Sequence, residues 1–482
     1  MTTGTPGAAV RGACAPDPSP RFTESAAAGR DPEPVKETLR WLAARRAAHT
    51  FEVEQVPFAQ MRGWSFRADT GDLGHESGRF FTVEGHRVHS DYGPVPRWEQ
   101  PIINQPEIGV LGFLLKEIDG VVQCLMQAKM EPGNANVVQL SPTVQATRSN
   151  YSRVHGGAAV RYLEYFTDPG RSTVLVDVLQ SEQGSWFRGK RNRNIVVEVH
   201  EDVEVHEDYR WMPVGTVQEL LHHDNAVNMD ARTVLSCMPF TRPTTPPGGG
   251  EAAHPQFRAA LRRSVTPAEY ALHPMRELLH WFTDRTARHD LRAERVPLAG
   301  IEGWRRTREA ISHTEGRHFS VIGARVRAGS REVREWTQPL LAPHGLGLAA
   351  LVVKRVHGVL HLLLHARPEA GHLHGVELAP TVQCTPDNYR GLPAWHRPRF
   401  LSHIEAVPRD RVRFDAVQSE EGGRFHRAEC RYMIVEAGDE VPLEVPEGYR
   451  WLAAHQVTRL LEHSHYLNVQ ARTLVACLHS LW

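Results

Sequence analysis

Two short stretches of this 482-residue chain place a carboxylate at the end of a predicted strand, Gln180-Ser181-Glu182 and Gln418-Ser419-Glu420. A strand end is where a side chain enters a cleft, so Glu182 and Glu420 are candidate proton-transfer groups. A second polar block also occurs twice: "VQLSPTVQ" at 138–145 returns as "VELAPTVQ" at 376–383, with six of eight residues unchanged. Pro142 interrupts a regular central strand, and Thr143, Gln145, Arg148, Asn150 and Tyr151 follow within a few residues. Hydroxyl, amide, guanidinium and ring together suit a nucleoside diphosphate, with the ring on the base, amides on its edges and the cation on phosphate. The competing reading is a Pro-bearing edge strand with outward polar residues. The run "GSWFRGKRNRN" at 184–194 adds Arg188, Lys190, Arg191 and Arg193, either facing phosphate or forming a solvated face. Its counterpart "GGRFHRAECRY" keeps Arg427 and Arg431. Lys129, one of only five Lys, has Arg367 as its counterpart, which fits anion binding in both copies with proton transfer in one, or drift at a surface site.

The elements that must position these residues are themselves written twice. Residues 40–64 align with 280–304 at an offset of 240, sharing Trp41/Trp281, Val56-Pro57/Val296-Pro297 and Gly63-Trp64/Gly303-Trp304. Through the middle the offset is 238, where Trp98 and Gln100 meet Trp336 and Gln338, and Asn150-Tyr151 meets Asn388-Tyr389. This is duplication of a domain of about 200 residues rather than a short-period solenoid. Each copy, 34–238 and 270–482, reads as α+β: an amphipathic helix (34–49; 275–290), a hairpin turning at Asp119-Gly120 or His357-Gly358, further strands, and one or two helices near the end. Asn228/Asn468 and Arg232/Arg472 in the repeated Asn-x-x-Ala-Arg-Thr read as a cap or brace, with a binding role as the alternative. Residues 1–33 are expected to be a disordered tail, and 239–269 a Pro/Gly-rich linker.

Composition narrows the function. Lys plus Arg and Asp plus Glu both total 56, so no global field draws the chain to nucleic acid or anionic lipid. Six Cys without a Cys-x-x-Cys spacing fit free thiols in a reducing compartment, and no apolar run approaches a membrane span, which predicts a cytoplasmic protein. The 28 His match no structural zinc spacing, so no metal is expected. Walker loop, nucleophile elbow and dinucleotide fingerprint are absent.

Taken together, "QPEIGVLGF", "VQLSPTVQATRSNY", "VLQSEQGSWF", "NMDARTVLSC", "VELAPTVQCTPDNY" and "VQSEEGGRF" resemble the NDP-hexose 2,3-dehydratases of deoxysugar and antibiotic biosynthesis, across both copies. The resemblance implies a tandem duplication of a Nudix-hydrolase-like domain, a nucleotide-sugar pocket in each copy, a homodimer, and action on a dTDP-4-keto-6-deoxyglucose-type sugar without a cofactor. The product would be a 3,4-diketo-2,6-dideoxy sugar passed to a 3-ketoreductase. A Nudix hydrolase's metal-binding helix is not matched. The nearest approach is "REVREW" at 331–336, with Trp336 in place of the last Glu and Gly323 where the upstream Glu should stand. A metal-dependent diphosphate hydrolase and a non-catalytic nucleotide-sugar-binding protein are the alternatives. Under the dehydratase reading the proton carriers are Glu182 or Glu420, with Lys129, His155 and His426. Binding falls to Trp98, Gln100, Gln139, Ser141, Thr143, Gln145, Arg148, Asn150, Tyr151, Ser181, Arg191 and Arg193. In the second copy it falls to Trp336, Gln338, Glu377, Thr381, Gln383, Asn388, Tyr389, Ser419, Glu421 and Arg424.

Overall fold

The computed structural model describes residues 19–28, 32–147, 160–240, 254–267, 270–329 and 333–482. Its hairpins form where the turn chemistry predicts. Asp119 and Gly120 both take positive φ (52° and 75°), as do His357 and Gly358 (48° and 77°), the conformation of a type I′ turn. The first hairpin joins Gly109–Ile118 to Val121–Met130, which pair only near the turn, from Leu115↔Cys124 to Ile118↔Val121. Farther out the two strands part, and the repeated Pro-Thr explains how the gap is filled. Val138–Ser141 adds to one strand, Pro142-Thr143 crosses over, and Val144–Ala146 adds to the other. The Thr143 hydroxyl sits in the gap, donating to the Leu125 carbonyl at 2.5 Å and accepting the Leu114 N–H at 2.9 Å. Thr381 does the same between Leu363 and Val352.

Each copy thus builds a seven-stranded mixed sheet, in which Arg191–Glu198 lies parallel to Gly109–Ile118 and Glu429–Glu436 parallel to Gly347–Val356. The remaining strands form two five-stranded sheets, and here the copies exchange an element. Phe51–Val56 of the first copy pairs with Phe319–Ala328 of the second, and Leu291–Val296 of the second pairs with Thr82–Ser90 of the first. The two copies of the domain therefore share sheets. They also share a core, because the helices Met229–Ser236 and Val469–His479 pack together within one apolar cluster that takes residues from both seven-stranded sheets.

Two further expectations are corrected. Within the predicted disordered tail, Ser19–Ala28 is a helix that buries Phe22 and Ala26, and Arg21 reaches Glu198 and Glu117. Within the predicted linker, Pro255–Ser264 is a helix whose Phe257, Ala260 and Leu261 recur at i, i+3, i+4 and face the core. Residues 1–18 and 241–253 lie outside the described residues. No described helix is long and apolar enough to cross a membrane.

The exchange is locked by a close crossing of backbones. Gly133 N–H donates to the Gly422 carbonyl, Arg427 N–H to that of Gly133, and the mirror bonds join Gly371 with Gly184 and Gly189. A Cβ on Gly133 would fall 1.6 Å from the Phe425 carbonyl oxygen, and one on Gly371 1.9 Å from that of Phe187, so both positions require glycine.

Candidate functional site

That crossing carries second-copy residues into the first copy's cleft. A cavity of about 900 Å³ is lined by Lys129, Glu131, Gln145, Glu182, Lys190, Asn192 and Asp230 from one copy and by Trp336, Gln338, Glu421 and Arg424 from the other. Trp64, Phe80 and Phe81 supply its aromatic wall. Gln145, the last residue of the repeated block, donates to Glu131 at 2.8 Å and accepts from Asn228 at 3.1 Å, while Lys129 lies 3.6 Å from Glu131.

Glu182 ends its strand as expected and is buried, accepting from Asn192 at 2.6 Å with its second oxygen unbonded. Burial raises its proton affinity, against the pull of Arg472, Lys190 and the Asn192 bond. Asp230, in the first turn of its helix, is held well above the carboxylate range by burial and by Glu182, Glu131 and Glu421. Glu421 is pushed up to about 7, chiefly by burial and by Glu131 and Glu182, although Arg424 opposes the shift. Lys190 is brought down to about 8 by burial despite the nearby Glu182, and its ammonium donates to the Glu107 carbonyl. Carboxyls crowded into one buried site cannot all ionise, so near neutral pH the cluster holds both protonated and ionised members.

The corresponding positions around Glu420 read differently. Lys190, Asn192 and Asp230 become Ala428, Cys430 and Gln470, and Glu421 and Arg424 become Gln183 and Trp186. Both Glu420 oxygens are taken, one by the Tyr432 hydroxyl at 2.6 Å and one by Gln183 at 2.7 Å. Arg367 keeps the place of Lys129, bonded to Glu369 and the Gln383 carbonyl, while Gln383 binds Glu369 at 2.9 Å.

Several predicted binding residues are committed to holding the copies together. Gln139 donates to Ser419 at 2.7 Å and Ser181 to Glu377 at 2.6 Å. Ser141 accepts from Asn228, and Thr143 and Thr381 fill their hairpins. These side chains are buried and do not line the large cavity. Arg193 is spent on a bidentate bridge to Asp177, and Arg191 lies outside the lining. Trp98 and Gln100 bond each other, and Gln100 reaches the Ser185 carbonyl; the strand exchange puts their counterparts Trp336 and Gln338 on the cavity wall instead. Asn388 accepts the His318 N–H. Tyr389 is half-buried, its phenol raised by burial. His426 is half-buried, lowered by burial, and off the lining. Arg148, Asn150, Tyr151 and His155 lie outside the described residues.

The brace reading of Asn-x-x-Ala-Arg-Thr holds, with a consequence for the site. Asn228 and Asn468 cap their helices through Ala231 and Ala471 N–H. Arg472 is fully buried and donates to the Leu467 and Ser181 carbonyls and to Thr233; Arg232 mirrors it onto Val227 and Ser419. Arg472 therefore places a second-copy cation behind Glu182. Asp230, Glu131 and Asn192 were not singled out from the sequence, and Lys190 stood there only as one of four cations that could face phosphate. An available signal was that Lys190 and Asp230 are charged in one copy and neutral in the other. Among the described residues, His49, Glu207 and Asp208 come within ligating reach of one another, but Arg45 bridges both carboxylates and the group is outside the cavity.

The model of the NDP-hexose 2,3-dehydratase family matches residues 35–238 and again 275–478. A Saccharopolyspora spinosa protein named dTDP-4-dehydro-6-deoxy-alpha-D-glucopyranose 2,3-dehydratase is 50% identical over 463 residues, covering 96% of this chain and 95% of its own. Proteins of the same name from Amycolatopsis orientalis and Streptomyces violaceoruber are 47% and 49% identical, covering 92% of this chain in each case and 90% and 96% of their own lengths. The chain belongs to the NDP-hexose 2,3-dehydratase family, present as two copies of the family domain.

Proposed function

We propose that this protein removes water across C2–C3 of dTDP-4-keto-6-deoxyglucose, giving the dTDP-3,4-diketo-2,6-dideoxyhexose, in the cleft around Glu182. The observation that carries this reading is one cleft, on one side of a duplicated molecule, that gathers the buried Glu182, Asp230 and Lys190 with the half-buried Glu421, where burial raises the carboxyls and lowers the ammonium. The C4 ketone acidifies H3. An ionised carboxyl of the cluster takes that proton, and the electron pair moves into a C3–C4 enediolate stabilised by nearby cations. A protonated carboxyl or Lys190 gives its proton to the C2 hydroxyl, which leaves as water as the C2–C3 double bond forms. The resulting enol takes a proton at C2 and becomes the diketone. Arg424 and Lys129 meet the diphosphate, and Trp336 stacks on the base.

The same proposal includes a Nudix-type ancestry for each copy, supported by its mixed sheet, a homodimer, which rests on the family resemblance alone, and a cytoplasmic location, which suits free thiols at Cys124, Cys237, Cys384, Cys430 and Cys477. A reactive α-diketone calls for a 3-ketoreductase to consume it. Turnover in D₂O with rapid trapping of the product tests the chemistry: one deuterium at C2 is expected. Product without deuterium at C2 would overturn the route, and release of dTMP would point to a hydrolase.

A further inference from the structure

A second cavity, of about 530 Å³, opens on the other side of the Ser185–Lys190 segment. Phe187 and Lys190 of that segment line the large cleft, whereas Arg188 and Gly189 line this one. Its walls carry four imidazoles, His86, His289, His372 and His374, together with Arg188 and Asn104. His86 is 1% exposed on a central strand, and both of its ring nitrogens lack a hydrogen-bond partner. A buried donor and acceptor left open are destabilising, so the site calls for a polar occupant. Burial, reinforced by Arg188, brings the His86 imidazole down to about 4, which keeps it neutral as a donor and acceptor.

The charge around the cavity points to an anion. Arg188 is half-exposed, and its ion pair is a long 3.8 Å approach to Glu84. Glu84 is already engaged by Arg295 at 3.1 Å, Thr82 at 2.7 Å and Asn104 at 3.1 Å. The guanidinium is thus weakly held beside an unpartnered imidazole. The duplication supplies an internal control, because the frame is repeated, with His289 matched by His49, and the other groups are not. His86, Asn104 and Arg188 correspond to Ala324, Ala342 and His426, and His372 and His374 to Asn134 and Asn136. A set of groups present on one side only is not required by the shared scaffold.

We infer that this cavity is a binding site for a small phosphate-bearing anion, separate from the nucleotide-sugar cleft, with Arg188 meeting the phosphate and His86 bonding one of its oxygens. Calorimetry with inorganic phosphate and with glucose 1-phosphate, on protein saturated with dTDP, tests the site while the large cleft is occupied. One saturable site per chain is expected, weakened at least tenfold in both Arg188→Met and His86→Gln and unchanged in Glu182→Gln. A stronger response to glucose 1-phosphate assigns the anion to a phosphomonoester, and an equal response to free phosphate. Absence of saturable binding, its loss when dTDP is added, or unchanged affinity in Arg188→Met, whose half-exposed position tolerates the exchange, would each overturn the assignment.

Discussion

At Glu182 the neighbours contributed by the two copies are Lys190, Asp230, Glu421 and Arg424; at Glu420 the same four positions hold Ala428, Gln470, Gln183 and Trp186. The backbone frame around both carboxylates is the same, including the strand ending at the glutamate, the glycine crossing and the buried arginine behind it. What differs is that these four positions are ionisable beside Glu182 and neutral beside Glu420. Burying charges costs several kcal/mol per ion unless they are well paired, so such a cluster persists where it is used and decays to neutral residues where it is not. Because the copies exchange a strand and cross at Gly133 and Gly371, each cleft draws on both halves of the sequence.

The sharpest way to break this comparison is to remove each carboxylate in turn. Glu182→Gln is expected to lower kcat by about 10²–10⁴, the usual contribution of a general acid or base, and Glu420→Gln to leave it within a few-fold. Equal losses in steady-state kinetics would dissolve the distinction between the clefts. Next in size, Trp336→Ala should weaken dTDP binding about tenfold by calorimetry, and Trp98→Ala much less, because Trp336 lies on the large cavity wall and Trp98 does not.

The braces give a comparison in stability. Arg472 Nε meets Thr233 at 2.7 Å, whereas Arg232 Nε meets Thr473 at 3.5 Å. Thr233→Val should therefore cost about 1–3 kcal/mol in denaturant unfolding and Thr473→Val clearly less. The smallest effect concerns pH. Glu421 rises from an ordinary 4.5 to about 7 in the folded chain, so its contribution to stability is full below about 4.5 and is lost as pH rises through about 7. At pH 8 Glu421→Gln should raise Tm by about 1–2 °C, with no gain at pH 4, while turnover falls. No counterpart change is expected from Gln183→Ala beyond the loss of its bond to Glu420.

Much of the fold was readable locally. Asp119-Gly120 and His357-Gly358 specify their turns, Pro142 ends a strand, and the Asn caps start their helices where the sequence places them. Glu182 was readable as a cleft residue because a strand end leads somewhere. The polar repeat divides for a physical reason: Gln145 reaches the cavity, but a Thr between two parted strands and a Gln between two copies are as exacting as a ligand contact, and sequence does not tell an internal partner from an external one. The helix at Pro255–Ser264 was hidden by the Pro/Gly-rich sequence around it, although its own apolar spacing is helical.

The sequence by itself determined that the chain is a duplication, which elements each copy forms, and that one copy keeps charges the other lacks. Only the tertiary structure decided that Trp336, Glu421 and Arg424 of the second copy serve the cleft of Glu182 in the first. Periodicity and turn chemistry fix which face of a strand is apolar and where it reverses, and these are properties of neighbouring residues. Which edge that strand then joins is a long-range choice among edges of nearly equal hydrogen-bonding capacity. Here it is settled by the shared core and by two glycines that let the backbones cross.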